Sequence, residues 1–122
     1  MKHSPGFLAL VNDAKTRIEQ IDLKGYREML AAGTPHILVD TREESEWAAG
    51  HAAGAIHIGK GIIERDIEAH VSDKTATIVL YCGGGFRSAL VADNLKKMGY
   101  EHPITLEGGW RAWLSEGMPV EK

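Results

Sequence analysis

The sequence predicts an α/β domain with a central, mainly parallel sheet. Short apolar runs alternate along the chain with segments whose apolar residues recur at helical spacing. The run at residues 76–81 is apolar, short and rich in β-branched side chains, as in a strand buried on both faces of a parallel sheet. Strands that alternate with helices are joined by right-handed crossovers, which favours a layered α/β fold.

Composition and charge limit the classes of function. The chain has 122 residues, 43% of them apolar and 25% charged, with a net charge of −3, which fits one globular domain. Because there is no basic surplus and no bilayer-length apolar stretch, we expect small partners, no nucleic acid and no membrane. The single cysteine excludes an internal disulfide and a CxxC pair. Since MKHSPG also lacks the apolar run of a signal peptide, we expect a cytoplasmic protein.

The chain begins with two predicted helices. Ser4 and Pro5 suit the N-cap and first turn of the first helix. Its amphipathic pattern favours packing on the domain, although the same face could bind a partner. The apolar stripe comprises Phe7, Leu8, Val11, Ala14 and Ile18. Asp22 is the expected N-cap of the second helix, which ends at Gly33.

The first clear strand covers residues 36–39 and ends at Asp40. Ligands bind at the carboxyl ends of strands in open α/β sheets, so Asp40 and Arg42 are candidates for a position beside a site. We favour a structural alternative, in which the two residues form an ion pair or Asp40 caps a helix over residues 43–49. The next strand is predicted at residues 55–58.

A solvated helix is predicted over residues 59–71, because isoleucines recur at helical spacing and charged residues occupy the other faces. Lys60 comes just after a predicted strand. A cation at that position could attract an anionic substrate.

The strand at residues 76–81 leads into the chain's only cysteine, Cys82, and then into Gly83, Gly84 and Gly85. Glycines have no Cβ, so their N–H groups can turn inward around whatever is bonded to the sulfur. A helical pattern starts at Arg87, and its N-terminal N–H groups together with the arginine favour a thiolate or another anion. The alternative is a buried, inert cysteine. Such a residue has no use for three glycines, each of which costs chain entropy.

The last predicted elements are a strand at residues 104–106, a turn at Gly108 and Gly109, and a helix at residues 110–116. The apolar side chains of this helix fit a core better than a cofactor site. They are Trp110, Trp113 and Leu114.

Other motifs carry little signal. His51 and His57 have neither a second pair nor a cysteine cluster to complete a metal site, so we expect no metal. Residues 59–61 lack the spacing of a phosphate-binding P-loop, and no G-x-G-x-x-G fingerprint occurs, so we expect no cofactor. Ser88 lacks the flanking glycines of a nucleophile elbow and is expected to help cap the helix after the loop.

Three segments of the chain together resemble the single-domain rhodanese family, which are thiosulfate sulfurtransferase-like proteins. LVDTREESEWAAGHAAGAIHI (residues 38–58) resembles the first family signature, YCGGGFRSA (81–89) the active-site loop, and LEGGWRAW (106–113) the closing segment. Three ordered signatures are more specific than any one of them. The resemblance implies a three-layer rhodanese-like domain at residues 21–122, after an N-terminal amphipathic helical extension at residues 1–20.

The resemblance also implies a two-step sulfur transfer. The Cys82 thiolate takes the outer sulfur of a small sulfur-containing anion such as thiosulfate, and cyanide or a thiol then removes it from the persulfide. A protein could also be the sulfur acceptor. The implied active-site loop, which binds the anion, comprises Cys82, Gly83, Gly84, Gly85, Phe86, Arg87 and Ser88. Asp40, Arg42 and Lys60 are possible supporting residues around that loop.

Two other classes of function remain open. A cysteine phosphatase or arsenate reductase also binds an anion in a cysteine loop before a helix. The tyrosine phosphatase pattern would place the arginine at position 88, whereas this chain has Ser88 there and Arg87 one residue earlier. The shorter spacing favours a cradle for a single sulfur. The second class is a regulatory or persulfide-carrier module without free turnover. The presence of Cys82 argues against a purely regulatory module, whereas a persulfide carrier stays a possible function.

Overall fold

The computed structural model describes residues 3–122. In chain order these residues form α1 (Pro5–Lys15), β1 (Glu19–Ile21), α2 (Leu23–Ala32), β2 (Ile37–Asp40), α3 (Glu44–Ala49), β3 (His51–Ala52), β4 (Ile56–His57), α4 (Ile63–His70), β5 (Thr77–Tyr81), α5 (Phe86–Lys97), β6 (His102–Leu106), α6 (Gly109–Ser115) and β7 (Val120–Glu121). Among the helices so described, none has both the length and the apolar character needed to cross a membrane.

Five strands form the central sheet, in the order β1-β6-β5-β2-β4. Every neighbouring pair in this sheet is parallel. The register pairs Asp40 at the end of β2 with Tyr81 at the end of β5, so the carboxyl ends of these strands meet at one edge. A separate two-stranded sheet pairs β3 with β7 in the antiparallel sense. The predicted α/β class with a mainly parallel sheet is confirmed.

Side chains of the sheet alternate between its two faces and build a core on each. Ile78 and Leu80 of β5 pack with α4 and α5 on one face. Val79 and Tyr81 of the same strand pack with α2 and α6 on the other. Because successive strand residues point to opposite faces, the apolar run of β5 supplies both cores. Helices therefore cover both faces and produce the expected three layers.

The first helix packs on the domain, as its amphipathic pattern predicted. α1 lies against α5, and its Val11 and Ala14 are buried. Just beyond the helix, Arg17 donates hydrogen bonds to both carboxylate oxygens of Asp93 on α5, at 2.9 and 2.8 Å. The predicted division between an extension (1–20) and a domain (21–122) falls within β1 and stays a prediction.

One helix end and one core assignment differ from the sequence predictions. α1 ends at Lys15, so Ile18 does not belong to its apolar stripe. Trp113 is buried as predicted, but Leu114 on the outer side of α6 is 52% exposed, so its assignment to the core is wrong. The caps of α2 are as predicted: Asp22 accepts a hydrogen bond from the Gly25 N–H, and Gly33 is left-handed.

Candidate active site

Cys82 follows β5 directly, at the carboxyl edge of the sheet, and only the three loop glycines separate it from α5. The Gly85 N–H donates a hydrogen bond to the Cys82 Sγ at 3.1 Å. Gly85 is the N-cap of α5 and has a φ of 94°, a left-handed conformation that glycine adopts without strain. This turn brings the start of the helix to the sulfur, so the predicted placement of the loop at a helix N-terminus is confirmed.

The three loop positions favour glycine for different structural reasons. At Gly85 a Cβ would lie 3.3 Å from the Gly108 nitrogen and 3.4 Å from the Leu106 oxygen, so the fold itself requires glycine there. Gly83 and Gly84 do not have left-handed backbones. A Cβ at Gly84 would meet its nearest atom at 3.7 Å, and one at Gly83 would have nothing within 4 Å. Gly83 and Gly84 therefore keep space open beside the sulfur.

Backbone hydrogen bonds from the start of α6 fix the position of the cysteine loop. The Trp110 N–H donates to the Cys82 carbonyl at 2.8 Å, and the Arg111 N–H donates to the Gly83 carbonyl at 3.1 Å. Just before these two residues, Gly109 has a φ of 49°, and a Cβ at this position would overlap the Cys82 carbonyl oxygen. The close approach of α6 to the loop therefore depends on glycine at position 109.

Asp40 and Arg42 form a buried ion pair near the loop. The Asp40 carboxylate is fully buried and accepts hydrogen bonds from the Arg42 guanidinium at 2.8 Å and from the Tyr81 hydroxyl at 2.6 Å. The guanidinium also stacks on the Trp110 ring, 4.4 Å from its centroid. Burial lowers the pKa of the Arg42 guanidinium, but the hydrogen bond and charge of Asp40 outweigh it and raise that pKa. Burial, and then the hydrogen bond to Asp40, raise the pKa of Tyr81.

A cavity of about 570 Å³ opens above the cysteine loop. From the loop it is lined by Cys82, Gly83, Gly84, Phe86 and Arg87. Cys82 is only 5% exposed, so the sulfur lies at the base of the cavity. Within residues 3–122, no group of three histidine, cysteine or acidic side chains is placed to hold a metal ion.

Residues 22–116 match the family described as the rhodanese-like domain. The chain belongs to this family. The putative sulfurtransferase YtwF of Bacillus subtilis is 33% identical over 102 residues, which cover 84% of this chain and 96% of YtwF. The probable adenylyltransferase/sulfurtransferase MoeZ of Mycobacterium tuberculosis is 34% identical over 93 residues, which cover 76% of this chain. That match spans only 24% of MoeZ, so this chain corresponds to about a quarter of the longer protein.

A solved structure supports the same fold over nearly the whole chain. The protein RPA3614 of Rhodopseudomonas palustris, described as of unknown function and a possible tyrosine phosphatase, superposes with a TM-score of 0.82. It is 26% identical, and the superposition covers 99% of this chain and 98% of that one. The superposition therefore includes α1, which precedes the residues matched by the family model.

In this rhodanese-like domain Asp40 and Arg42 form the ion pair that we favoured, and Arg42 also lines the cavity, as the other prediction placed it. Asp40 does not line the cavity, and its carboxylate is committed to the buried pair. The alternative in which Asp40 caps the next helix is wrong. Glu43 is the N-cap of α3, and its N–H donates to the Glu46 carboxylate at 3.1 Å.

Two predicted cations lie at the mouth of the cavity. Arg87 is exposed on the first turn of α5. Lys60 also lines the cavity, but its Nζ donates to the Glu43 carboxylate at 3.0 Å. This hydrogen bond, together with the charge of Lys60, lowers the pKa of Glu43. The predicted attraction of an anionic substrate to Lys60 stays a prediction, and Glu43 offsets its charge.

Ser88 does not cap α5, so that prediction is wrong. Its side chain is buried, and its hydroxyl hydrogen-bonds the Thr105 hydroxyl on β6. The helix starts at a glycine, Gly85, which has no capping side chain. Ser88 thus joins α5 to the sheet beneath the loop and does not line the cavity.

Several residues that line the cavity were not predicted from the sequence. Arg111 brings a second exposed arginine from α6, and the Cβ position of Gly84 lies 3.9 Å from its Nη1. The available signal was its position in LEGGWRAW, two residues after the glycine pair. His3 and Phe7 reach the cavity from the N-terminal end of the chain, and no local pattern connects them to Cys82.

Proposed function

We propose that this rhodanese-like domain is a sulfurtransferase that carries sulfane sulfur as a persulfide on Cys82. The observation that carries this proposal is the sulfur at the base of an open cavity, with the Gly85 N–H 3.1 Å from Sγ. A terminal persulfide sulfur is an anion, and backbone N–H groups at a helix N-terminus stabilise an anion. Among the described side chains none caps α5, so its first N–H groups stay available.

The first step loads the cysteine. The Cys82 thiolate attacks the outer sulfur of thiosulfate, a new S–S bond forms, and the bond to the inner sulfur breaks. Sulfite leaves with the bonding electron pair, and the enzyme keeps one additional sulfur as a terminal persulfide anion. Arg87 and Arg111, both exposed at the cavity, favour the approach of the dianion and stabilise the sulfite that departs.

The second step removes the added sulfur from Cys82. A nucleophile such as cyanide or a thiolate attacks the terminal sulfur, the Sγ–S bond breaks, and its electron pair returns to Cys82 as a thiolate. With cyanide the product is thiocyanate. Gly83 and Gly84 leave the terminal sulfur accessible because neither places a side chain in the cavity.

Intact-protein mass spectrometry tests the proposal. After treatment with thiosulfate we expect a mass increase of one sulfur atom, which cyanide then removes. Because Cys82 is the only cysteine, the adduct has one assignment, and Cys82→Ser should form neither the adduct nor thiocyanate. Full activity of this variant would contradict the mechanism.

The same experiment separates the alternative functions. Hydrolysis of an aryl phosphate without any sulfur adduct would support a cysteine phosphatase, the class suggested for RPA3614. An adduct that forms but is transferred only to a protein acceptor would support a persulfide carrier. The position of Arg87 on the first turn of α5, with one residue fewer than the phosphatase spacing, favours the smaller sulfur ligand.

A further inference from the structure

Three aromatic rings form one wall of the cavity. His3 lies 4.4 Å from Phe86 and 5.2 Å from Phe7, measured between ring centroids, and Phe7 lies 6.4 Å from Phe86. All three residues are partly buried and line the cavity. We call His3, Phe7 and Phe86 the aromatic wall.

The aromatic wall lies beside the sulfur cradle. Phe86 is the first residue of α5, and its ring is 3.7 Å from the position of a Cβ on Gly84. Phe7 is on α1, which Val11 and Ala14 anchor to the domain. Two of the three rings therefore stand on packed helices, and His3 joins them from just before α1. The wall stands where the outer part of a bound molecule would lie.

The cavity is much larger than thiosulfate or cyanide requires. Its volume of about 570 Å³ lies in the range of pockets that hold small organic ligands. Arg87 and Arg111 line the same cavity, whose lining carries four cations against the carboxylates of Glu43 and Glu46, so it offers apolar rings together with a net positive charge. This combination suits a molecule that has both a planar apolar group and a carboxylate.

We propose that the aromatic wall selects the sulfur acceptor, a small organic thiol with a planar apolar group and a carboxylate. This inference rests on the proposed sulfur transfer. The acceptor thiolate attacks the terminal sulfur of the Cys82 persulfide and forms a new S–S bond. The Sγ–S bond breaks, the electron pair returns to Cys82, and the acceptor leaves as an organic persulfide. No external oxidant or reductant is needed.

The test compares two carboxylate-bearing alkyl thiols as acceptors for the preformed persulfide of the full chain. In para-(mercaptomethyl)benzoate a phenyl ring separates the thiol from the carboxylate, and in mercaptopropionate an alkyl chain does. Mass spectrometry follows the loss of the added sulfur in single turnover. In the wild type we expect faster transfer to para-(mercaptomethyl)benzoate than to mercaptopropionate. Phe7→Ala should reduce this preference about two- to tenfold, the contribution of one aromatic contact.

Leu10→Ala is the matched control, because Leu10 is on the same helix but 56% exposed and outside the cavity. It should retain the preference of the wild type. Equal rates for the two thiols in the wild type, or an unchanged preference in Phe7→Ala, would overturn the inference while leaving the persulfide chemistry intact.

A binding measurement keeps the inference testable if no persulfide forms. NMR titration with para-toluate, which has the ring and carboxylate but no thiol, gives a Kd that does not depend on sulfur transfer. A Kd raised about two- to tenfold by Phe7→Ala, and unchanged by Leu10→Ala, supports the aromatic wall. Equal Kd values in the wild type and Phe7→Ala overturn it.

Discussion

Side chains introduced at Gly84 and Gly109 should separate the proposed catalytic role of the cysteine loop from its structural role. A Cβ at Gly84 points to the cavity, and its nearest neighbours are the Phe86 ring at 3.7 Å and Arg111 Nη1 at 3.9 Å, both ordinary van der Waals contacts. A Cβ at Gly109 overlaps the Cys82 carbonyl, in a backbone with a φ of 49°. The first substitution changes the cavity, and the second displaces the loop.

The expected magnitudes differ accordingly. Gly84→Val should change the free energy of unfolding by less than about 1 kcal/mol, because a Cβ at this position makes only ordinary van der Waals contacts and the backbone is not left-handed. The valine methyl groups cover the N–H groups that hold the terminal sulfur, so persulfide formation should slow about a hundredfold, as for the loss of one anion-stabilising donor. Gly109→Ala should cost about 2 to 5 kcal/mol, from steric overlap together with a left-handed backbone.

Two measurements on the same preparations test this reasoning. Urea unfolding gives the free energy of unfolding, and a change in midpoint with an unchanged slope indicates a real change in stability. Timed mass spectrometry after addition of thiosulfate gives the rate of persulfide formation. The reasoning is refuted if Gly84→Val forms the persulfide at the rate of the wild type, or if it loses as much stability as Gly109→Ala.

Three further predictions concern charged groups. Asp40→Asn leaves a buried guanidinium without its counter-charge and should destabilise the fold by about 3 to 5 kcal/mol in urea unfolding. Glu116→Gln removes an exposed ion pair, in which the Glu116 carboxylate lies 3.2 Å from the Arg27 guanidinium, and should cost less than about 1 kcal/mol; equal losses would contradict the argument from burial. Arg87→Ala should raise the KM for thiosulfate about tenfold, and an unchanged KM would exclude a contact with the donor. Hydrogen bonding and charge from Arg17 lower the pKa of Asp93, so its stabilisation is present above the ordinary carboxyl pKa and is lost as the pH falls through the lowered value. Between about pH 6 and pH 2, the fall in Tm with decreasing pH should be smaller in Asp93→Asn than in the wild type. An equal fall in Tm in both proteins would contradict this prediction.

The parts of the fold that the sequence predicted are those with their own local signal. β5 is apolar without interruption because it is buried on both faces, and its pattern is visible in five residues. β1 has no such signal, since Glu19 and Gln20 are exposed. It is a strand because it pairs with β6 at the edge of the sheet, far away in the chain. The same holds for the pair of β3 and β7, two residues each.

The residues of the candidate site also differ in whether a local sequence pattern determines their positions. Cys82 and the glycines after it are contiguous, so a strand, a tight turn and a helix start fix their geometry, and sequence reasoning could place them. The role of Ser88 was predicted wrongly because its hydrogen-bond partner, Thr105, is on β6, which is distant in the sequence. Phe7 depends on how α1 docks on α5, and amphipathicity predicts the docking but not which ring reaches the cavity. The proposed loading of sulfur therefore depends on a local motif, whereas the proposed choice of acceptor depends on distant elements. Changes in α1 could alter the acceptor of a rhodanese-like domain without disturbing the chemistry at its cysteine.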